Sequence, residues 1–346
     1  MKTLNTFFLL LLFSFHSFAG SGNAEDFTKK WNKTFQVNAT SKLSISNKYG
    51  DIKFVPSDGN TLKIDVVITV DKKSDRAAQS LLESISIRDK VSGDDISIKT
   101  NFEKTNNTGN SEMSIDYVVS APKYLMLDIT NAFGDVFIGE QLGNAAITVE
   151  YGALKATSFN GNDNTIILKF SNAEIAYFEK GKMNLSYSDI ELKSANELDL
   201  KSAFSDIELD KAHDLVVYSE YDDLELGDIG ALKVDAKFTD CEIELLRTKC
   251  KAAVEFGDFE IDQVSKSFEK IKVHSQFGSV EIEMESGSSY SFDCKSEMGS
   301  IDLPSGSVVQ TNIKETLMRH KIGIVGKNPE ERIVSVHVQQ GSIELD

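Results

Sequence analysis

The chain has 346 residues, of which 40% are apolar and 26% charged, with 37 Lys and Arg residues against 54 Asp and Glu residues. This composition is typical of a globular protein with one large or two ordinary domains, and it excludes a disulfide-dependent miniprotein and a disordered chain. The formal net charge of −17 repels phosphate backbones, and no basic stripe with interleaved aromatic residues offsets it. We therefore expect no nucleic-acid partner.

Residues 1–19 have the three parts of a secretory signal peptide. Lys2 precedes an apolar run from Phe7 to Phe15, and the small residues Ser17 and Ala19 match a cleavage site. We expect cleavage after Ala19, because the alternative, an uncleaved anchor, would need an apolar run of ~20 residues to span a bilayer. No later segment of the sequence is apolar enough to cross a membrane. The sequence thus predicts an exported protein of the periplasm, the cell surface or the extracellular space.

Residues 20–130 are predicted to form an N-terminal β-rich cap with one helix. Alternating apolar residues at 43–45, 51–54, 62–70, 96–98 and 115–119 predict strands. The stretch from Ser74 to Ile85 predicts an amphipathic helix with Ser74 as its N-cap, and the polar stretch 102–112 predicts a loop.

A motif that begins with a large apolar residue recurs from residue 133 onward and decides the fold prediction. Successive copies begin 17 to 21 positions apart, and such self-similarity is the signature of a repeat architecture. We call the first residue of each copy the lead residue and count it as position 0. The ten lead residues are Phe133, Tyr151, Phe170, Tyr187, Phe204, Tyr221, Phe238, Phe256, Phe277 and Met298.

The pattern within each copy predicts two short strands joined by a bend. Apolar or small residues at −4, −2, 0, +3 and +5 predict half-buried strands with the lead residue on the inner face. The apolar positions are even-numbered up to the lead residue and odd-numbered after it. This shift falls across the Gly, Ser, Thr or Asp residues at +1 and +2, which indicates a turn. A copy of 17 residues has a contour of about 56 Å, enough to circle one narrow core and return beside itself.

The sequence therefore predicts an all-β protein, a right-handed parallel β-helix (solenoid) with turns of 17–21 residues over 131–303. A β-propeller would need about twice this period, and an antiparallel sandwich would not need equivalent side chains in every copy. Residues 304–346 are predicted to close the solenoid, with 316–325 and 332–338 as a C-terminal hairpin cap and 340–345 repeating the second-strand motif. Such caps are expected because an open end is an exposed sheet edge.

Three segments carry a family resemblance. They are 46–53, which contains Tyr49-Gly50-Asp51, then the predicted helix, and then 121–136, which ends in Phe133-Gly134-Asp135-Val136. In content and order they resemble the exported bacterial family of putative adhesins, common in Bacteroidetes. The resemblance covers nearly all of the mature chain and implies a β-solenoid at the cell surface or in the periplasm. Its motifs form turns and strands, so it implies no catalytic set, and it does not imply the acidity of the later turns.

The later turns predict a column of outward carboxylates, here called the acidic ladder. Residues 170–303 contain 30 acidic and 14 basic residues, and like charges ~4.8 Å apart repel by roughly 0.9 kcal/mol in water. We expect a multivalent face that binds Ca²⁺ or a basic partner, the alternative being a solvated face on which Asp at +2 only favours the bend. Position +4 is occupied by Glu174, Glu191, Glu208, Glu225, Glu242, Glu260, Glu281 and Asp302, and position +2 by Asp189, Asp206, Asp223, Asp240 and Asp258.

A compact basic group is predicted on another face. Outward positions of the first strand carry Lys233, Lys249, Lys251, Lys270 and Lys272. These lysines could contact an anionic glycan, or they could be ordinary surface.

The cysteines are predicted to be small core residues. Cys241, Cys250 and Cys294 take inward positions that other turns fill with Ile, Leu or Val. A bridge between Cys250 and Cys294 would have to cross two turns, about 10 Å, which exceeds the reach of a disulfide.

Catalysis is not expected from this sequence. The short turns leave no long loops to form the cleft that a pair of catalytic carboxylates needs. His213, His274, His320 and His337 are scattered, with no nucleophile pattern around them. We expect surface or envelope interaction with a surface glycan or protein, adhesion being implied by the resemblance. A structural envelope scaffold and a polysaccharide-active enzyme are the alternatives.

Overall fold

The computed structural model describes residues 27–71, 74–103, 112–327, 329 and 331–346. The predicted signal peptide, residues 1–19, and most of the predicted polar loop lie outside the described residues. The described chain is nearly all β and forms a β-solenoid of about nine turns, which confirms the predicted fold. Among the described residues, no helix has the length and apolar character needed to cross a membrane.

The N-terminal part contains seven strands and the predicted helix. Ser74 occupies the N-cap position, and its carbonyl accepts hydrogen bonds from the N–H groups of Ala77 and Ala78, but its side chain makes no cap hydrogen bond. The elements are β1 (Phe27–Gln36), β2 (Lys42–Lys48), β3 (Ile52–Ser57), β4 (Thr61–Asp71), α1 (Asp75–Ser84), β5 (Ile85–Ser92), β6 (Asp95–Phe102) and β7 (Glu112–Pro122).

The solenoid strands follow in chain order. They are β8 (Met126–Ala132), β9 (Val136–Gln141), β10 (Ala145–Glu150), β11 (Ala153–Phe159), β12 (Asn164–Lys169), β13 (Asn172–Ser186), β14 (Asp189–Leu192), β15 (Ala195–Ala203), β16 (Asp206–Glu220), β17 (Asp223–Lys237), β18 (Asp240–Glu255), β19 (Phe259–Val264), β20 (Lys270–Gln276), β21 (Val280–Met284), β22 (Tyr290–Glu297) and β23 (Ile301–Asp302). Four more strands complete the chain: β24 (Val308–Lys314), β25 (Met318–Val325), β26 (Ile333–Gln339) and β27 (Ile343–Leu345).

Successive turns lie side by side in parallel register. Phe133 donates its N–H to the carbonyl of Glu150 at 2.9 Å, and Phe204 donates to Glu220 at 3.1 Å. Each hydrogen bond links the lead residue of one turn to the residue before the lead of the next. Equivalent positions of successive turns are therefore direct neighbours, as the repeat predicts.

The turn of Phe204 has three inner sides rather than the predicted two strands and a bend. In the turn of Phe204, Leu200 lies on the first inner side, Ile207 and Leu209 lie on the second, and Ala212 alone closes a third. Burying a large aliphatic side chain contributes roughly 1.5–3 kcal/mol, so the inward columns supply the main stabilisation. The third side escaped prediction because one inward residue flanked by exposed ones has no periodicity to detect.

The solenoid begins before the first predicted turn. β2 pairs with β8 on one side and with β6 on the other, both in parallel. β3 pairs in the same way with β7 and β9. The segment with Tyr49 is therefore a full member of the stack, although the helix and six strands, β3 to β8, separate Tyr49 from Phe133 in the sequence.

The predicted pairing of 316–325 with 332–338 was wrong. β24 and β25 form an antiparallel hairpin, and β25 also pairs with β22, so this hairpin is the C-terminal cap. β26 instead inserts between β20 and β22, and β27 inserts between β21 and β23, all in parallel. The C-terminal segment thus separates two turns that are consecutive in the sequence. Alternation predicts a strand but cannot say which neighbour it joins.

Candidate functional site

The nine aromatic lead residues, together with Tyr49, form an exposed column of stacked rings along one corner of the solenoid, which corrects the prediction that the lead residues face inward. Their backbones are left-handed, with φ between 50° and 62°, and the aromatic ones are 37–52% exposed. Nine successive pairs stack with ring centroids 4.6–5.2 Å apart and interplanar angles of 1–13°. This aromatic ladder consists of Tyr49, Phe133, Tyr151, Phe170, Tyr187, Phe204, Tyr221, Phe238, Phe256 and Phe277.

Stacking offsets the strain that this corner imposes. A left-handed backbone costs an L-residue roughly 1–2 kcal/mol, and an aromatic pair contributes about 0.5–1.5 kcal/mol beyond its buried area. An inner ring of the ladder belongs to two such pairs. Because each ring covers its neighbours' faces, mainly ring edges reach solvent, and the ladder offers no open platform on which a sugar could stack.

Beneath the aromatic ladder, small polar residues at +1 form a buried hydrogen-bonded column. The N–H of Ser171 donates to Oγ of Ser188 at 3.1 Å, and the N–H of Ser188 donates to Oγ of Ser205 at 3.1 Å. The N–H of Ser205 in turn donates to the carboxylate of Asp222 at 2.8 Å, and that of Asp222 donates to Oγ1 of Thr239 at 3.1 Å. Each +1 side chain therefore accepts the N–H of the preceding turn, which would otherwise be buried without a partner.

In other turns the +1 residue is Gly, and the side chain at +2 accepts the hydrogen bond from the next turn. A Cβ at Gly257 would lie 2.0 Å from the carbonyl oxygen of Thr239, so only glycine fits there. The N–H of Asp258 donates to the carboxylate of Asp240 at 2.9 Å, and that of Ser279 donates to Asp258 at 2.7 Å. These two predicted site residues thus have a structural role at the bend. Asp206 and Asp223 are exposed and face each other across adjacent turns.

The acidic ladder is in register along its whole length. Direct Cα partners at +4 run without interruption from Glu174 to Asp302. The inserted C-terminal segment contributes Glu344, which stands between Glu281 and Asp302 and which the sequence pattern had placed outside the array. The order is Glu174, Glu191, Glu208, Glu225, Glu242, Glu260, Glu281, Glu344 and Asp302.

Lysines compensate the first part of the ladder but not the later part. Glu174 lies 2.6 Å from Nζ of Lys155, and Glu208 lies 3.5 Å from Nζ of Lys193. Within the described ranges, the later carboxylates form no ion pair, and a second outward column at +6 adds further charge. We call this region the acidic patch: Glu225, Glu242, Glu260, Glu281 and Glu344 at +4, with Glu244, Asp262, Glu283 and Asp346 at +6. The sequence analysis did not single out the +6 column, although the same alternation predicts that its side chains point outward.

The crowding of carboxylates affects their ionisation. Burial raises the pKa of Glu260 above its ordinary value, and the charges of Glu281, Asp262 and Glu242 raise it further. The pKa of Glu344 is also raised, first by the charge of Asp346 and then by that of Glu281. A cation close to Glu260 and Glu344 would therefore favour their charged forms.

The patch is a flat charged surface rather than a closed metal cage. Within the part of the chain that the structure describes, no group of three or more His, Cys, Asp or Glu side chains is arranged to hold a metal ion. Adjacent carboxylates ~4.8 Å apart can share a hydrated cation between turns. The geometry thus suits weak, multiple cation contacts or a basic surface.

The other predicted residues occupy the following places. The three cysteines are buried and free, as predicted. Burial raises the pKa of Cys250 to about 12, so it is an unreactive core thiol. Cys250 and Cys294 lie three turns apart instead of two, because β26 intervenes. The same insertion brings His337 against His274, with ring centroids 5.0 Å apart, a pair that the sequence pattern does not indicate.

Several solved structures resemble this chain, but no protein of curated function matches its sequence. One, described as a putative adhesin from Parabacteroides distasonis, has 12% identity, coverage of 92% of this chain and 97% of that chain, and a TM-score of 0.37. Another, described as a putative adhesin from Parabacteroides merdae, has 16% identity, coverage of 73% and 96%, and a TM-score of 0.34. A third, described as a putative lipid binding protein from Parabacteroides distasonis, has 9% identity, coverage of 92% and 96%, and a TM-score of 0.29.

TM-scores this low carry no argument about function, so the assignment rests on the family model. The model of the Toastrack DUF4097 family matches residues 40–346. This range runs from just before β2 to the end of the chain, so it includes every turn of the solenoid and leaves out β1. The resemblance recognised in the sequence is thereby confirmed. The chain belongs to the Toastrack DUF4097 family.

Proposed function

We propose that this protein is an exported, non-catalytic β-solenoid that mediates contact at the cell surface or within the envelope, and that it does so through the acidic patch. The observation that carries the proposal is the run of successive turns from Glu225 to Glu344 whose +4 carboxylates form no ion pair within the described residues. Like charges in direct register cost stability, and a partner of opposite charge removes that cost. Ca²⁺ and a basic protein surface both meet this requirement.

The flatness of the face favours a contact surface over a catalytic one. The carboxylates of the patch belong mainly to strands β18, β19, β21 and β27, whose side chains stand out from an uninterrupted sheet. Hydrolysis of a glycan needs one protonated and one ionised carboxyl group in a cleft at fixed separation. The patch instead repeats one carboxylate at one position turn after turn, which suits multivalent binding.

The test is thermal unfolding of the mature chain in EDTA and in millimolar Ca²⁺. We expect Ca²⁺ to raise the Tm, because it binds the folded patch and not the unfolded chain. The double variant Glu242→Gln/Glu260→Gln should have a higher Tm than wild type in EDTA and a smaller Ca²⁺ response. A control with the same change of charge is Glu150→Gln/Glu255→Gln, since both of these carboxylates pair with lysines outside the patch.

The outcomes separate the alternatives. Equal Tm in EDTA and Ca²⁺ removes the cation part of the proposal, and an equal Ca²⁺ response in the two double variants shows that the patch is not where Ca²⁺ binds. A glycan-array screen of the mature chain distinguishes surface recognition from a purely structural scaffold. Release of reducing ends from polysaccharides would support the enzyme alternative.

A further inference from the structure

A second charged site lies on the first-strand face, away from the acidic patch. Lys233, Lys251 and Lys272 are direct neighbours on three successive turns, and Lys249 and Lys270 form a second column beside them. All five lysines are exposed. The basic group predicted from the sequence is therefore a two-column array of lysines, whose backbone positions are ~4.8 Å apart between turns and ~6.6 Å apart along a strand.

Four of these lysines line an open groove of about 1020 Å³. One wall is the turn that contains Phe268 and Glu269, and the other is the segment 331–333 that leads into β26. Hydrogen bonds fix both walls: Glu269 donates its N–H to the carbonyl of Thr248 at 2.8 Å, and Ile333 donates to that of Glu269 at 3.4 Å. The groove thus exists only because the C-terminal segment inserts into the solenoid.

The charges in the groove are poorly compensated within the protein. Lys249 pairs with Glu269 at 3.0 Å, whereas Lys251, Lys270 and Lys272 form no ion pair with any residue that the structure describes. Carboxylates outnumber basic residues by 17 in this chain, and many of its other lysines have carboxylate partners. Lys251, Lys270 and Lys272 therefore form a local concentration of positive charge.

We propose that this groove binds an acidic glycan, a chain that carries carboxylate or sulfate groups at regular intervals. An extended polyanion can contact several ammonium groups at once, so contacts that are weak singly combine along the array. The lysines lie between two walls, the turn at Glu269 and the segment that carries Glu331 and Arg332, and this shape suits an extended chain better than a flat anionic membrane.

The experiment is calorimetric titration of the full mature chain in EDTA, so that the result does not depend on cation binding by the acidic patch. The probes are polygalacturonate for carboxylate, heparin for sulfate, and neutral dextran and duplex DNA as comparisons. We expect binding of at least one acidic glycan that weakens as NaCl rises. The double variant Lys251→Gln/Lys272→Gln should bind about tenfold more weakly.

A matched control is Lys182→Gln/Lys201→Gln, which removes two lysines from the same face on earlier turns. This variant should bind like wild type. All four lysines point away from the core, and unchanged circular dichroism and Tm would show that both variants fold. Failure to bind either acidic glycan, equal losses in the two double variants, or binding of dextran or duplex DNA as tight as that of the acidic glycan would each overturn the proposal. Absence of the Tm response to Ca²⁺ would count against the acidic patch only, because the glycan titration is done in EDTA.

Discussion

The rings of Tyr221 and Phe238 stack with centroids 4.7 Å apart and planes 4° apart, although both residues have a left-handed backbone, with φ of 59° and 51°. Both rings are nearly half exposed. Glycine is the usual residue at positive φ because it lacks a Cβ. Here aromatic residues occupy the positions that glycine would usually take. The stacking contact on each side of a ring offsets the backbone strain.

Substitution of Phe238 tests this balance. Phe238→Ala keeps the strained backbone and loses the stacks with Tyr221 and Phe256, so we expect a loss of about 1–3 kcal/mol in the free energy of unfolding. Phe238→Gly loses the same stacks but relieves the strain, and it should be more stable than the Ala variant by about 1 kcal/mol. Urea unfolding followed by circular dichroism measures both. Val234 occupies an inward strand position and serves as the control, because there the Ala variant should be more stable than the Gly variant. If Phe238→Ala is more stable than Phe238→Gly, the proposed balance between strain and stacking is wrong.

Asp222 is a buried carboxylate in the +1 column. It accepts hydrogen bonds from Oγ of Ser202 and of Ser219, each at 2.5 Å, and from the N–H groups of Ser205 and Glu220. Asp222→Ala leaves these donors without an acceptor and should cost about 2–3 kcal/mol. Asp222→Ser restores the hydroxyl that neighbouring turns use and should cost about half as much.

The control for Asp222 is Asp223→Ala, one position along at the exposed +2 site. It should change the free energy of unfolding by less than about 0.5 kcal/mol. Similar losses at 222 and 223 in urea unfolding would show that the buried column is not what stabilises the corner.

The inserted strand β26 should belong to the core rather than to a removable cap. Val336 is 1% exposed and lies between Val273 and Cys294. Val336→Ala should cost about 2 kcal/mol, because it leaves a cavity inside the solenoid. Val308→Ala on the outer hairpin strand, at a side chain 55% exposed, should cost less than about 0.5 kcal/mol. Equal, small effects in urea unfolding would place β26 outside the cooperative core.

Stability should fall as the pH is lowered through the range in which His337 titrates. Burial lowers the pKa of His337 below its ordinary value of 6.5, and the charges of Lys295 and His274 lower it further, while Glu297 partly opposes them. The unfolded chain therefore binds a proton at higher pH than the folded one. The stabilisation from this group is present above about pH 6.5 and is lost as the pH falls below it.

The measurement is the Tm of wild type and of His337→Gln from about pH 7.5 to 5.5. As the pH is lowered, the Tm of wild type should fall more steeply than that of His337→Gln. His213→Gln, at an exposed histidine beside Asp214, should follow wild type. Parallel curves for wild type and the His337 variant would show that this histidine does not link protonation to folding.

The sequence predicts much of the candidate site through its repeat. Once the repeat period and the strand alternation were recognised, Glu208, Glu225 and Glu242 had to stand in one outward column. The lead aromatic residues were misplaced for a definite reason. Alternation assumes an extended backbone, and a left-handed residue such as Phe204 (φ 54°) turns its side chain outward at the corner.

Local pattern determined the strands, the repeat, the inward columns and the sign of charge on each face, because these depend on side chains close together in the sequence. Only the tertiary structure decided that the Tyr49 segment and β26 are members of the stack, that His337 meets His274, and that four lysines share a walled groove. Those contacts join residues far apart in the chain. Any parallel strand with a suitable inner face could have filled those places, and the choice among them depends on the packing of the whole core.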